Sequence, residues 1–183
     1  MNLSNNQLQE ILANSECLIS GSAINEAYDR LAQQLNLHYQ GLNPLILVVM
    51  NGGLIPAGQL LTRLNFFHRL GYLHASRYLD NRGGSTINWL ARASAPVTGE
   101  HLLLIDDIFD EGLTIKAVVE ELRKEEPASL KTAVLLNKQH ERKVAGFQPD
   151  FVGCPVADRY IFGCGMDYHG YFRHLTGIYA LKN

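Results

Sequence analysis

The stretch LLLIDDIFDEGLT, residues 102–114, runs an apolar segment into Asp106 and Asp107, then into Asp110, Glu111, Gly112, Leu113 and Thr114. Two adjacent carboxylates at the end of a buried strand repel each other and lose hydration unless a partner is supplied. Acidic residues are ordinary at a helix start, which accounts for Asp110 and Glu111 but not for Asp106 and Asp107. A helix beginning near Leu113 offers free N–H groups and partial positive charge, a seat for phosphate. Gly112 lets the backbone approach closely, and Thr114 adds a hydroxyl donor. Carboxylates beside such a seat can accept from sugar hydroxyls, so the two devices together suit a sugar phosphate. No Gly-Lys-Thr is present, which excludes a Walker-type loop.

The elements that must hold these residues follow from periodicity. Ile24, Ala27, Tyr28, Leu31, Ala32 and Leu35 form one stripe of a helix over 22–36, with Ser22 as its N-cap, and an earlier helix is expected around Leu8, Ile11 and Leu12. The runs 44–50, 101–105 and 131–137 are apolar on both alternating sets, as strands of a parallel sheet are. Residues 71–78 form another strand, and "DFVGCPV", "YIFGCGM" and "GIYAL" are shorter ones. Helices are expected after Gly53, with Pro56 in the first turn, and over "LTIKAVVEELRKEEP", with Ile115, Val118, Val119 and Leu122 inward. Residues 79–98 show little period and suit a lid or hairpin arm, with Gly83 and Gly84 at its tip. Strands alternating with helices predict an α/β domain around a parallel sheet. Ligands bind outside the carboxyl ends of such strands, here "MNGG", "SRY" and "DDIFDEG".

The totals set limits. At 183 residues the chain suits one domain, and its net charge of −2 offers no nucleic-acid footprint. The N-terminus lacks the order of a signal peptide, and the longest aliphatic run is too short to span a bilayer, so a cytoplasmic location is expected. Cys17, Cys154 and Cys164 lack zinc-type pairing, and no catalytic role is assigned to any of the 7 histidines; His169 and His174 do not share a helical face.

The 102–114 stretch resembles the phosphoribosyl-pyrophosphate (PRPP) motif of type I phosphoribosyltransferases. That family pattern is an apolar run, two acids, two apolar residues, Asp, a small residue, Gly, any residue, Thr. Glu111 departs from it, standing where Thr or Ser is usual, so its side chain is expected to point away and its N–H to bind. "VLLNK" ending in Lys138 and "DRYIFGCGMDYHGYFR" over 158–173 resemble the hypoxanthine-guanine branch. The resemblance spans from about residue 45 to the C-terminus. It implies that Lys138 donates to the purine 6-oxo group, Tyr160 stacks on the base and Ile161 offers backbone contacts. Asp167 would assist a second metal or the exocyclic amine, and Arg173 would hold pyrophosphate. Read alone, Asp167 and Arg173 are equally an ion pair. Asn51 and Gly52 match the pyrophosphate loop, in which the resemblance implies a cis peptide at Asn51–Gly52. Arg77, at the start of the mobile loop (about 77–98), would pair with pyrophosphate oxygens. The fold implied is a parallel-sheet core with a hood subdomain built from the N-terminal segment and about 150–183.

The activity implied is transfer of the 5-phosphoribosyl group from PRPP to N9 of hypoxanthine or guanine, giving IMP or GMP and pyrophosphate. Mg²⁺ would be the cofactor, held by Asp106 and Asp107 largely through water or ribose. Asp110 would be the base for the purine N7 proton. A lysine ammonium has donors only, so adenine, with an amine at C6, is expected to be rejected. The family suggests a homodimer or homotetramer, with no nucleic-acid or membrane partner. A xanthine-preferring enzyme and a PRPP-binding regulator on the same fold are the alternatives.

Overall fold

Residue-by-residue alternation in the strand Leu45–Val49 (β2) divides the interior. Ile46 and Val48 pack with the helix Gly21–His38 (α2), while Leu45, Leu47 and Val49 pack with the helix Leu113–Arg123 (α4) on the opposite face. A sheet buried on both faces needs apolar residues at every position, which β2 supplies. The computed structural model describes residues 2–79 and 85–182, without the side chains of 77–79, 85 and 86.

The remaining elements are the helices Asn5–Ala13 (α1) and Leu54–Leu61 (α3) and the strands Ser15–Ile19 (β1), Arg69–Leu79 (β3), Ser85–Ala91 (β4), His101–Phe109 (β5), Ser129–Gln139 (β6), Phe151–Ala157 (β7), Ile161–Phe162 (β8) and Ile178–Leu181 (β9). The large sheet has the order β4-β3-β2-β5-β6-β7. Its strands are parallel except β4, which runs antiparallel to β3. A second sheet, β1-β9-β8, joins the N-terminal segment to the C-terminal one.

All six residues of the α2 stripe are buried, as are all four of α4. Three local expectations need correction. The α2 cap is Ser20, whose Oγ accepts from Ala23 N–H at 3.3 Å; Ser22 lies inside the first turn. Strand β5 does not stop at Ile105 but pairs with β6 as far as Phe109, so Asp106 and Asp107 lie within it. In agreement with a hairpin arm in the 79–98 stretch, β4 pairs antiparallel along the free edge of β3, and its Ile87 and Trp89 pack on the α4-side core. "YIFGCGM" is strand only at Ile161 and Phe162, because Gly163, Cys164 and Gly165 all take positive φ and turn the chain. Gly83 and Gly84 lie outside the described residues.

Candidate active site

After β2 the chain crosses to β3 on one side, whereas β5 lies on the other side of β2. The carboxyl ends of β2 and β5 therefore diverge into a crevice at the switch point of the sheet. A cavity of about 340 Å³ occupies it. Gly52 closes it from the β2 side, Asp106 to Ile108 and Asp110 to Thr114 from the β5 side, and Arg173 from the C-terminal segment.

Asp106 Oδ1 accepts the Asp107 N–H at 2.9 Å. Burial, then the Asp107 charge, pushes the Asp106 carboxyl well above the usual carboxylate range. Burial raises Asp107 to about 6, even though backbone hydrogen bonds and Arg173 act the other way. Arg173 offsets part of the cost of burying the pair. Two carboxylates fit a divalent ion whose other oxygens come from ligand or water; among the described residues no group of three His, Cys, Asp or Glu side chains could hold one alone. Gly52 permits this arrangement, since a Cβ there would overlap the Asp107 carboxylate.

Gly112 precedes α4 at φ 83°, and no side chain caps the helix. A Cβ at Gly112 would also run into the Phe109 ring, so glycine is needed for conformation and for space. Leu113 and Thr114, in the first turn, line the cavity, where their uncapped N–H groups suit an anion. Glu111 lines it too, and its carbonyl accepts from Val144 N–H at 2.8 Å.

Asp110 is gripped from the β6 side. The last pairing of β5 with β6 is Phe109↔Asn137, and β6 runs on beside β7 to Gln139. Lys138 Nζ donates to Asp110 Oδ2 at 2.5 Å, and His140 Nε2 lies 2.7 Å from Oδ1. Burial raises the Asp110 pKa, but the hydrogen bonds from Lys138 and His140 and the Lys138 charge outweigh it, leaving the carboxyl below its ordinary range. The Lys138 side chain is only 10% exposed, so its donors are directed and not diffuse. Lys143 secures the backbone beneath: its Nζ donates to the carbonyls of Phe109 and Asp110, both at 2.7 Å, and to Asn137 Oδ1 at 3.0 Å. Sequence reasoning missed His140 and Lys143. Their proximity to Lys138 in sequence was visible, but the contact with Asp110 arises only from strand pairing.

The other candidates are placed less directly. Arg173 reaches the cavity while Nη1 donates to Gly165 O at 2.6 Å and Nη2 pairs with Asp167 Oδ1 at 2.5 Å. Asp167 Oδ2 accepts the Gly170 N–H at 2.6 Å. Asp167 thus orients Arg173, and each of its oxygens keeps a further lone pair. Tyr160 is 62% exposed and meets Tyr168 edge-on at 5.7 Å between ring centroids. Ile161 is buried and paired with Ala180. Asn51 is exposed at the turn after β2. The cis peptide lies at Met50–Asn51, one residue before the expected position. Met50 N–H still bonds Leu73 O at 2.8 Å, and Gly53 N–H returns to Val49 O at 2.9 Å, so the reversal is completed between them. Arg77 has its backbone in β3, and its side chain lies outside the described residues.

Residues 18–169 match the model of the phosphoribosyl transferase domain. The chain is 32% identical over 166 residues to the hypoxanthine-guanine phosphoribosyltransferase of Bacillus subtilis, covering 90% of this chain and 92% of that one. It is also 32% identical over 152 residues to the hypoxanthine-guanine-xanthine phosphoribosyltransferase of Tritrichomonas foetus, covering 83% of each. Among solved structures, a hypoxanthine phosphoribosyltransferase from Staphylococcus aureus superposes with a TM-score of 0.87 at 25% identity, covering 98% of this chain and 97% of that one.

Proposed function

This chain belongs to the phosphoribosyl transferase family, and from that premise we propose that it salvages 6-oxopurines, transferring 5-phosphoribosyl from PRPP to hypoxanthine or guanine. The observation that carries the base assignment is the Lys138–Asp110 pair, 2.5 Å between Nζ and Oδ2, of which Asp110 lines the crevice. A 6-oxopurine carrying its proton on N7 presents a donor at N7 and an acceptor at O6 along one edge. An acceptor and a donor side by side match that edge, and the amine of adenine would face the ammonium without a bond.

The reaction is a displacement at ribose C1′. N9 of the base forms the new bond, the C1′–oxygen bond breaks, and pyrophosphate leaves with the electron pair. The purine N7 proton passes to the Asp110 carboxylate. Asp106 and Asp107 accept from the ribose hydroxyls, and their negative charge stabilises the positive charge developing at C1′. The first turn of α4, with Gly112, Leu113, Thr114 and the Glu111 N–H, holds the 5′-phosphate. Arg173, Arg77 and the Asn51–Gly52 backbone hold pyrophosphate, with Arg173 kept in place by Asp167. Tyr160 and Ile161 border the base. When bound at Asp106 and Asp107 through water and ribose, Mg²⁺ supplies charge neutralisation for the leaving group. The hairpin of β3 and β4 closes over the crevice, and the β1-β9-β8 sheet forms the hood. The reading places the enzyme in the cytoplasm as a homodimer or homotetramer.

The test is ultraviolet detection of nucleotide formation with PRPP, Mg²⁺ and each of hypoxanthine, guanine, xanthine and adenine. Turnover of 6-oxopurines without adenine is expected. Turnover of adenine would end the Lys138 assignment, and PRPP binding without turnover of any base would make the protein a regulator.

A further inference from the structure

His140 follows β6 directly, and its side chain is 3% exposed although it belongs to a surface loop. Its two ring nitrogens are both engaged. Nδ1 lies 3.1 Å from the backbone N of Arg142, and a backbone N–H can only donate, so Nδ1 is an acceptor. The ring proton therefore resides on Nε2, which donates to Asp110 Oδ1 at 2.7 Å. The backbone of residue 142 sets the tautomer, and the tautomer sets a donor onto the carboxylate. Lys138 takes the other oxygen.

A carboxylate held at one oxygen can still swing about its terminal torsion, which is broad for aspartate. Held at both oxygens by donors from two different residues, it keeps one plane. Each oxygen retains a further lone pair, so the grip leaves Asp110 able to accept a proton. We propose that His140 is a positioning residue for Asp110: its Nε2–H fixes the plane in which the carboxylate meets the purine N7 proton. His140 does not relay that proton, because accepting one at Nδ1 would break the bond from Arg142 N–H.

The inference rests on the transfer reaction proposed above, and two variants with two readouts separate it from that reading. His140→Phe keeps the ring volume and removes the donor. His140→Gln keeps a donor near the position of Nε2. Steady-state kinetics with PRPP, Mg²⁺ and hypoxanthine should show His140→Phe losing about tenfold or more in kcat with KM for PRPP unchanged, since a displaced catalytic group costs up to about 100-fold. His140→Gln should retain kcat within about threefold. A His140→Phe chain as fast as the parent, or a His140→Gln chain as slow as His140→Phe, overturns the positioning role; should His140→Phe fail to fold, a more than tenfold loss in His140→Gln overturns it. The second readout is the ¹⁵N imidazole spectrum of the protein without substrates, in which Nε2 is expected protonated and Nδ1 bare. Protonation at Nδ1 overturns the contact itself. A parent chain without turnover overturns the transfer reaction and the positioning role with it, while the spectrum still reports whether the contact exists.

Discussion

Gly52, in the turn after β2, lies so close to Asp107 in β5 that a single added methyl group would overlap the carboxylate. The two strands that form the crevice thus touch through a glycine and an acid. A Gly52→Ala substitution must displace either Asp107 or the turn. Overpacking of this kind costs about 1–3 kcal/mol. Urea unfolding should register that loss, and KM for PRPP should rise at the same time. A variant with unchanged stability and unchanged KM would show that the turn is free to move.

Asp106 and Asp107 make stability depend on pH in a defined direction. Burial raises both carboxyls above the unfolded value of about 3.9, Asp107 to about 6. The folded chain therefore binds protons that the unfolded chain releases between about pH 4 and pH 6. The favourable contribution is fully present below about pH 4 and is lost as pH rises through about 6. Asp106→Asn removes one titrating group and relieves its neighbour. The variant should gain stability relative to the parent as pH is raised from about 4 to about 8 in denaturant unfolding, while losing transferase activity. A difference independent of pH would contradict this.

Lys143 ties three acceptors together under Asp110, and its ammonium also lies 4.1 Å from the centroid of the Phe109 ring. Lys143→Met leaves two carbonyls without this donor, at a cost of about 1–3 kcal/mol. The melting temperature should fall and kcat should fall with it. Retention of kcat despite a lower melting temperature would show that the Asp110 turn holds without the lysine.

Lys138→Met removes the donor proposed for the 6-oxo group and one of the two holds on Asp110. A hydrogen bond to a charged group contributes about 1.5–3 kcal/mol, equivalent to roughly 10- to 150-fold. kcat/KM for hypoxanthine should drop by that factor, and the ratio of hypoxanthine to adenine should narrow. An unchanged ratio would mean that base selection resides elsewhere in the crevice.

Much of the architecture is written in local periodicity. The α2 and α4 stripes, the doubly buried β2 and the acidic stretch from Asp106 to Thr114 could be read because each is a repeat or a run within one element. Strand β4 was legible in principle, since Ile87 and Trp89 face inward while Asn88 and Leu90 are exposed; the polar composition around it concealed a short period of two.

By itself the sequence determined the α/β class, the inward faces of the helices and the acidic stretch facing a helix start, because hydrophobic spacing and backbone chemistry act between neighbours along the chain. Only the tertiary structure decided that His140 and Lys138 converge on Asp110 and that Arg173 enters the same crevice on the arm of Asp167. The meeting of the N-terminal and C-terminal segments was expected, but the structure alone made Ser15–Ile19 a strand and set Ser15 opposite Leu181. Such contacts depend on which strands lie side by side and in which register. That choice is made by burying every face of the sheet at once, and no short window of sequence contains it.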